Sequence, residues 1–302
     1  MAEKPKVGVI GLGAMGMGVA RSLLRANFPV FACDVRKEAL DAIAAEGAIP
    51  CTTPAALGRE VSVALVLVVN AEQTEQVLFG KDGAAATLAP GSVVVASSTV
   101  APEFAEQLGA RLEARGLLML DAPVSGGAAK ATTGQMTIMS SGTPETYAKV
   151  EDVLAAIAAK VYRLGNRPGV GSKVKTINQL LAGVHIAAAA EAMALGIRAG
   201  VDPDALYEVI ANSAGSSWMF QNRVPHILAG DYTPLSAVNI FVKDLGIVLD
   251  AARRMTFPLP LTATAHQMFL AASAHGHGGE DDSAVVKVFA TLTGLELPEK
   301  KG

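Results

Sequence analysis

Lys175, Asn178 and Gln179 are the residues in this chain whose types and spacing best suit chemistry. Separations of three and four put their side chains on one face of a helix. A lysine amine there can take or give a proton, and the two amides can hold a hydroxyl or a carboxylate. Arg163, Arg167, Lys173 and Lys175 follow one another with no acid between them, so a small anionic substrate would be drawn to the segment. A lysine in a first helical turn is otherwise a solvent-facing charge, and spacing alone leaves both readings open.

Two further stretches offer hydroxyls and backbone donors. Asp121-Ala122-Pro123-Val124-Ser125-Gly126-Gly127 sets a serine beside two glycines, where backbone N–H groups can converge on a carboxylate. A plain tight turn is the alternative. Ser97-Ser98-Thr99 precedes Ala101-Pro102, so its hydroxyls face a ligand, cap the helix that follows, or do both.

The fourth stretch carries its own structural context. An apolar run, Val7-Gly8-Val9-Ile10, leads into Gly11-Leu12-Gly13-Ala14-Met15-Gly16, a helical pattern, then Pro29 to Cys33 and Asp34. That order is strand, glycine turn, helix, strand, acid. Gly11 permits the tight turn, Gly13 lets backbone approach a pyrophosphate, and Gly16 lets the helix pack close to the sheet. The helix N-terminus then faces the phosphates with free N–H groups. Asp34 follows Gly16 by 18 positions, near the spacing of about 20 expected for an acid on an adenosine ribose. The expected cofactor is NAD rather than NADP, because Asp34 repels a 2′-phosphate; Arg36, two residues on, is the opposing signal.

With 302 residues, 51% hydrophobic and 18% charged, the chain can bury a large core and divide into two domains. A net charge of -3 and the lack of a basic run interleaved with aromatics argue against nucleic acid. Cys33 and Cys51 are the only cysteines, so a disulfide framework is not expected and a reducing, cytoplasmic setting is. Met1-Ala2-Glu3-Lys4-Pro5-Lys6 lacks the apolar segment of a signal peptide. The most apolar stretch, Leu180 to Ala190, is alanine-rich, broken by His185, and short of the roughly 18 residues a membrane span needs.

Positioning these residues requires a particular order of elements. Strand-like runs at Val61 to Val69, Val93 to Ala96, Leu117 to Leu120, Met136 to Met139 and Val161 to Leu164 alternate with helical patterns such as Ala101 to Arg115 and Pro144 to Ala158. This alternation predicts an α/β fold, a doubly wound parallel sheet of the Rossmann type, whose ligands bind beyond the carboxyl ends of the strands. From Gly171 the sequence is helix-forming, beginning with one helix to about Gly200 that is near 40 Å long at about 1.5 Å per residue. Glycine and proline at Gly165 to Gly171 mark the linker. The expectation is a dinucleotide-binding domain over residues 1–166 and an all-helical substrate and oligomerisation domain over 167–302.

Gly11 to Gly16, Asp121 to Gly127, Gly169-Val170-Gly171 with Lys175 four residues on, and Lys243-Asp244-Leu245-Gly246 together resemble the β-hydroxyacid dehydrogenase family over essentially the whole chain. That family includes 3-hydroxyisobutyrate dehydrogenases and tartronate semialdehyde reductases. The resemblance implies a Rossmann domain joined to a helical domain by one long helix, an NAD cofactor and a small acidic substrate. It implies that Lys175 is catalytic, that Ser125, Gly126 and Gly127 anchor the substrate, that Thr99 lies near nicotinamide, and that Lys243 contacts the cofactor. Gln179 stands where many members have asparagine, with Asn178 one residue earlier, so either amide is the substrate contact. Assembly as a homodimer or homotetramer is expected.

Residues Ser213 to Gly246, including Ser216-Ser217-Trp218-Met219-Phe220-Gln221-Asn222-Arg223 and His226, are most similar to members that oxidise the 2-hydroxyl of a four-carbon sugar acid. The polar content of the segment could supply donors to several hydroxyls. Alternatively, Trp218 and Phe220 are core, Arg223 a surface ion pair and His226 a helix-end histidine. A lysine near its free pKa of about 10.4 is a poor base at neutral pH, so burial and neighbouring positive charge must lower it for Lys175 to accept a hydroxyl proton. His275 and His277 near Glu280, Asp281 and Asp282 suggest a metal site, but the glycines among them point to a loop, with Asp281 or Asp282 capping the last helix. No metal is expected.

Overall fold

The structure, a computed structural model, describes residues 4–300; the first three residues of the segment read for a leader lie outside that range. The chain forms two compact units, Met1–Lys175 and Thr176–Gly302.

In the first unit, β1 (Val7–Ile10), α1 (Ala14–Arg25), β2 (Val30–Cys33), α2 (Lys37–Ala45), β3 (Ile49–Pro50), α3 (Pro54–Gly58), β4 (Val63–Val66), α4 (Ala71–Phe79), β5 (Val93–Ala96), α5 (Pro102–Glu113) and β6 (Leu118–Asp121) follow in order. The six strands form one parallel sheet in the order β3-β2-β1-β4-β5-β6, the Rossmann order with its topological switch between β1 and β4. Valine, alanine and leucine dominate because both faces are covered. Successive residues go to opposite cores: Val93 and Val95 pack on one side, Val94 and Ala96 on the other. The apolar run at 61–69 yields only the four residues of β4.

The remaining strands do not extend this sheet. β7 (Val124–Ser125), β8 (Met136–Ser140) and β9 (Ala158–Arg163), with α6 (Gly127–Thr133) and α7 (Pro144–Ile157) between them, form a separate three-stranded sheet. β7 runs antiparallel to β8, and β8 parallel to β9. Pro123 has no N–H for a ladder, but its carbonyl accepts from Met139 N, and the chain runs on in one antiparallel register, Asp121 opposite Ser141, Val124 opposite Ile138 and Ser125 opposite Thr137. That register puts Ser125 at the end of a short strand next to its glycines.

α8 (Val170–Arg198) has 29 residues, and the division between the units falls within it. The second unit continues with α9 (Pro203–Ala211), α10 (Trp218–Ala229), α11 (Val238–Arg254), α12 (Pro260–Ala272) and α13 (Val286–Thr293). By length and composition α8 alone among the described residues could cross a membrane, which the stretch 180–190 on its own did not suggest. It is a core helix: Ile186, Ala187, Ala190 and Ala194 are buried against α11 and α12 residues such as Phe241, Leu245 and Phe269. A Cβ at Gly183 would press on Leu245 and Phe241, so glycine there permits the close approach.

Candidate active site

β1 delivers the chain to Gly11, whose φ of +92 suits glycine. A Cβ at Gly16 would overlap the Gly11 carbonyl oxygen, whereas one at Gly13 would meet nothing within 4 Å. Gly13 is the N-cap of α1, no side chain caps it, and the first turn holds no acid. Gly13 thus leaves the first turn of α1 without a side-chain cap, as a bound diphosphate requires. Asp34 closes the site at the end of β2. Its Oδ2 accepts from Leu12 N at 2.5 Å, and its Oδ1 from Arg36 N at 2.8 Å and Arg36 Nε at 3.1 Å. Burial works to raise the carboxyl, but the Arg36 and Leu12 donors outweigh it and hold Asp34 below its ordinary range. Arg36 also donates to Leu12 O at 2.8 Å. This arrangement fits a dinucleotide.

At the end of β5, Ser98 Oγ donates to Val68 O at 2.8 Å and accepts from Thr74 Oγ1 at 3.1 Å. Ser97 and Ser98 are buried and Thr99 is half-buried beyond them. The N-cap of α5 is Ala101. Ser98 thus ties the end of β5 to the segment after β4.

Gly126 (φ +128) and Gly127 (φ +72) occupy backbone conformations that disfavour any side chain. They turn the chain from Ser125 into α6. That helix is pinned to α1: Ser22 Oγ donates to Ala131 O at 2.8 Å and Thr132 O at 3.1 Å.

Lys175 is 7% exposed, and its Nζ donates to Val124 O at 2.8 Å. The lysine of the first turn of α8 is therefore held against the residue preceding Ser125, rather than in solvent. Asp121 fixes the start of that helix. Its Oδ2 accepts from Gly169 N at 2.8 Å and Ser172 N at 2.9 Å, and its Oδ1 from Ser172 Oγ at 2.7 Å. Ser141 Oγ reaches Oδ2 at 3.2 Å and accepts from Gly171 N at 3.0 Å. Burial pushes the Asp121 carboxyl above its ordinary range despite these donors. Of the basic residues expected to make the junction positive, Arg163 pairs with Glu151 at 2.9 Å and Lys173 with Glu106 at 2.8 Å. Acids distant in sequence thus offset part of that field.

In the second unit, Gln179 is buried and Asn178 half-buried on α8. Asn178 Nδ2 donates to Gln179 Oε1 at 3.0 Å, and Gln179 Nε2 to Asp244 Oδ2 at 2.5 Å. Lys243 Nζ lies 2.6 Å from Asp244 Oδ1, an ion pair without the alignment of a good hydrogen bond.

Across 212–226 most polar groups serve the local fold. Ser217 caps α10 by accepting from Phe220 N at 3.0 Å, and Phe220 is core. Gln221 Nε2 donates to Ala211 O at 3.2 Å and Ser216 Oγ at 3.0 Å. Arg223, expected at the surface if not on substrate, is buried with its Nε 2.5 Å from Asp282 Oδ1. His226 Nδ1 is 3.2 Å from Asp231 O. Trp218 is half exposed. His277 pairs with Glu280 at 3.0 Å, and Glu280 with Lys287 at 2.5 Å. Asp281 caps the short 3-10 turn before α13 through Ser283 N, rather than α13 itself.

Residues 6–165 match the NAD binding domain of 6-phosphogluconate dehydrogenase, and residues 169–289 the NAD-binding segment of NADP-dependent 3-hydroxyisobutyrate dehydrogenase. The chain belongs to the 3-hydroxyisobutyrate dehydrogenase-like family. Within this family it is 70% identical over 294 residues to an L-threonate dehydrogenase of Cupriavidus necator, covering 97% of this chain and 98% of that one. An L-threonate dehydrogenase of Escherichia coli (strain K12) is 52% identical over 296 residues, covering 98% and 97%. A crystal structure described as 3-hydroxyisobutyrate dehydrogenase from Salmonella typhimurium superposes with a TM-score of 0.91 at 52% identity, covering 94% of this chain and all of that one. This family member is an oxidoreductase with an NAD(P)-binding domain.

Asp121 was legible only as the first residue of the serine-glycine stretch, and Asp244 only as part of a motif. An acid closing an apolar strand was the available signal for Asp121; Asp244, on an amphipathic helix, gave none.

Proposed function

We propose that this chain oxidises L-threonate to the 2-oxo acid, 2-dehydro-L-erythronate, with NAD as acceptor. The observation that carries the reading is 70% identity along nearly the whole length to an L-threonate dehydrogenase. The site residues support it. Ser125, Gly126 and Gly127 present a hydroxyl and backbone N–H groups to the substrate carboxylate. Lys175, as the neutral amine, takes the proton of the 2-hydroxyl while hydrogen leaves C2 with its electron pair. The Val124 carbonyl can only accept, so it holds one N–H of Lys175 and orients the amine. Nicotinamide, when bound, supplies the hydride acceptor. Asp34 at the end of β2 favours NAD, since its carboxylate hydrogen-bonds a ribose and repels a 2′-phosphate. Thr99 is assigned to the nicotinamide side, and Lys243 to the cofactor from α11.

Exposed apolar side chains of the helical unit, Ile177, Leu181, Leu195 and Leu292, support a homodimer or homotetramer in which they are covered. The setting is cytoplasmic. Light scattering on the purified protein reads the oligomeric state.

A substrate panel tests the activity. L-Threonate with NAD is expected to exceed 3-hydroxyisobutyrate and glycerate by at least about tenfold in kcat/KM, roughly 1.4 kcal/mol in transition-state binding. A polyol acid satisfies donors and acceptors that an apolar analogue leaves unpaired. Preference for 3-hydroxyisobutyrate would favour the activity named for the Salmonella structure and overturn the threonate reading.

A further inference from the structure

We infer that Asp244 and Gln179 are positioning residues that fix the polarity of the Asn178 amide, so that Asn178, and not Gln179, reads a hydroxyl of the substrate. The inference rests on the proposed oxidation of a hydroxy acid and divides the labour between two adjacent amides.

The argument starts at Asp244, 2% exposed on α11. An ionised carboxylate accepts and never donates. The Gln179 group 2.5 Å from its Oδ2 must therefore be the amide NH₂, which settles which end of that amide is which. Gln179 Oε1 then points away from Asp244 and accepts from its neighbour, so Asn178 must turn its own NH₂ inward, as the 3.0 Å contact requires. Both ends of the Gln179 amide are thus engaged inside the protein, and the residue is 7% exposed. Asn178 is half-buried and has its carbonyl oxygen and second N–H left to offer.

A carbonyl and an N–H side by side on one amide match a hydroxyl, which both donates and accepts. Asn178 follows Lys175 by three residues on α8, a separation that makes the two side chains neighbours on the helix surface. Without the carboxylate the two amides could flip together, and an outward pair of N–H groups would suit a hydroxyl less well. Asp244 also pairs with Lys243 at 2.6 Å, so its loss has a separate effect on the cofactor side.

The test is a double-mutant cycle on the intact enzyme at saturating NAD. It compares kcat/KM for the best substrate with kcat/KM for a hydroxy acid lacking one non-reacting hydroxyl. Asn178→Ala is expected to lower the ratio about 10- to 100-fold, the loss of a hydrogen bond to a buried group. Gln179→Met, close in size, is expected to lower it about tenfold with the deoxy substrate little changed. The double variant should be no worse than Asn178→Ala, because Gln179 acts through Asn178. Asp244→Asn should reproduce the loss of ratio and additionally raise KM for NAD. Should Gln179→Met fold poorly by circular dichroism and NADH binding, Asp244→Asn combined with Asn178→Ala supplies the same cycle. Additive losses, or a larger loss from Gln179→Met than from Asn178→Ala, would place Gln179 on the substrate and overturn the inference. An enzyme whose best substrate is not threonate refutes the assigned substrate alone, since the cycle is run on whichever hydroxy acid is preferred.

Discussion

The hydroxyl of Ser172 donates to the carboxylate of Asp121 across 2.7 Å, joining the end of β6 to the first turn of α8. The same carboxylate takes two backbone N–H groups of that turn, the donors a helix start leaves without partners. Lys175 follows Ser172 by three residues, so the clamp and the lysine belong to one turn. Ser172→Ala is expected to destabilise the protein by about 1.5–3 kcal/mol, the range for a hydrogen bond to a charged group, and to lower turnover. Asp121→Ala should cost more, since it strands every donor at once. Denaturant midpoints and kcat check the order, and a reversed order would separate the hydroxyl from the carboxylate.

Lys175→Met removes the proton acceptor but leaves the glycine turn intact. Turnover should fall by about 10² or more, with NADH binding, followed by fluorescence, nearly unchanged. Lys173→Met is the control, because Lys173 is exposed and pairs with Glu106 at the surface, where such pairs contribute little. Retained turnover in Lys175→Met would remove that residue from the mechanism.

Asp34→Ser should raise kcat/KM with NADP relative to NAD, because it deletes the charge that repels a 2′-phosphate and frees Arg36 to meet it. A cost accompanies the gain. Asp34 also accepts from Leu12 N, so the variant's affinity for both cofactors should drop through a looser turn. Steady-state kinetics with each cofactor separate the two effects.

The Arg223–Asp282 pair predicts a pH-dependent penalty. Burial pushes the Asp282 carboxyl up to about 6 from an ordinary 3.8, with Arg223 opposing the shift. Between those values the folded state holds the proton and the unfolded state has lost it, so this group's contribution to stability falls as pH rises through the window. Arg223→Met removes the counter-charge. Destabilisation should reach about 3–5 kcal/mol at pH 8, where the carboxylate is left unpaired, and be smaller at pH 5, where the carboxyl is protonated. Urea titrations at both pH values measure the difference; equal losses would mean that packing rather than charge sets the penalty.

The glycine turn, Asp34, the alternating strands and the long helix were legible in the sequence because each rests on local rules. Glycines mark places where backbone crowds backbone, both-face burial writes an unbroken apolar run, and helix period groups Lys175 with Asn178 and Gln179. Tertiary structure alone decided what distant partners do. It sent β7, β8 and β9 into a second sheet, since pairing at Pro123 depends on which strand lies alongside. It turned Asp121 into the clamp on α8 and Arg223 into the buried partner of Asp282, 51 and 59 residues apart in sequence. It neutralised Arg163 and Lys173 with Glu151 and Glu106, and it gave Gln179 to Asp244. A charge or amide has no partner written beside it in the chain; its role is set by whatever donor or acceptor folding brings within about 3 Å.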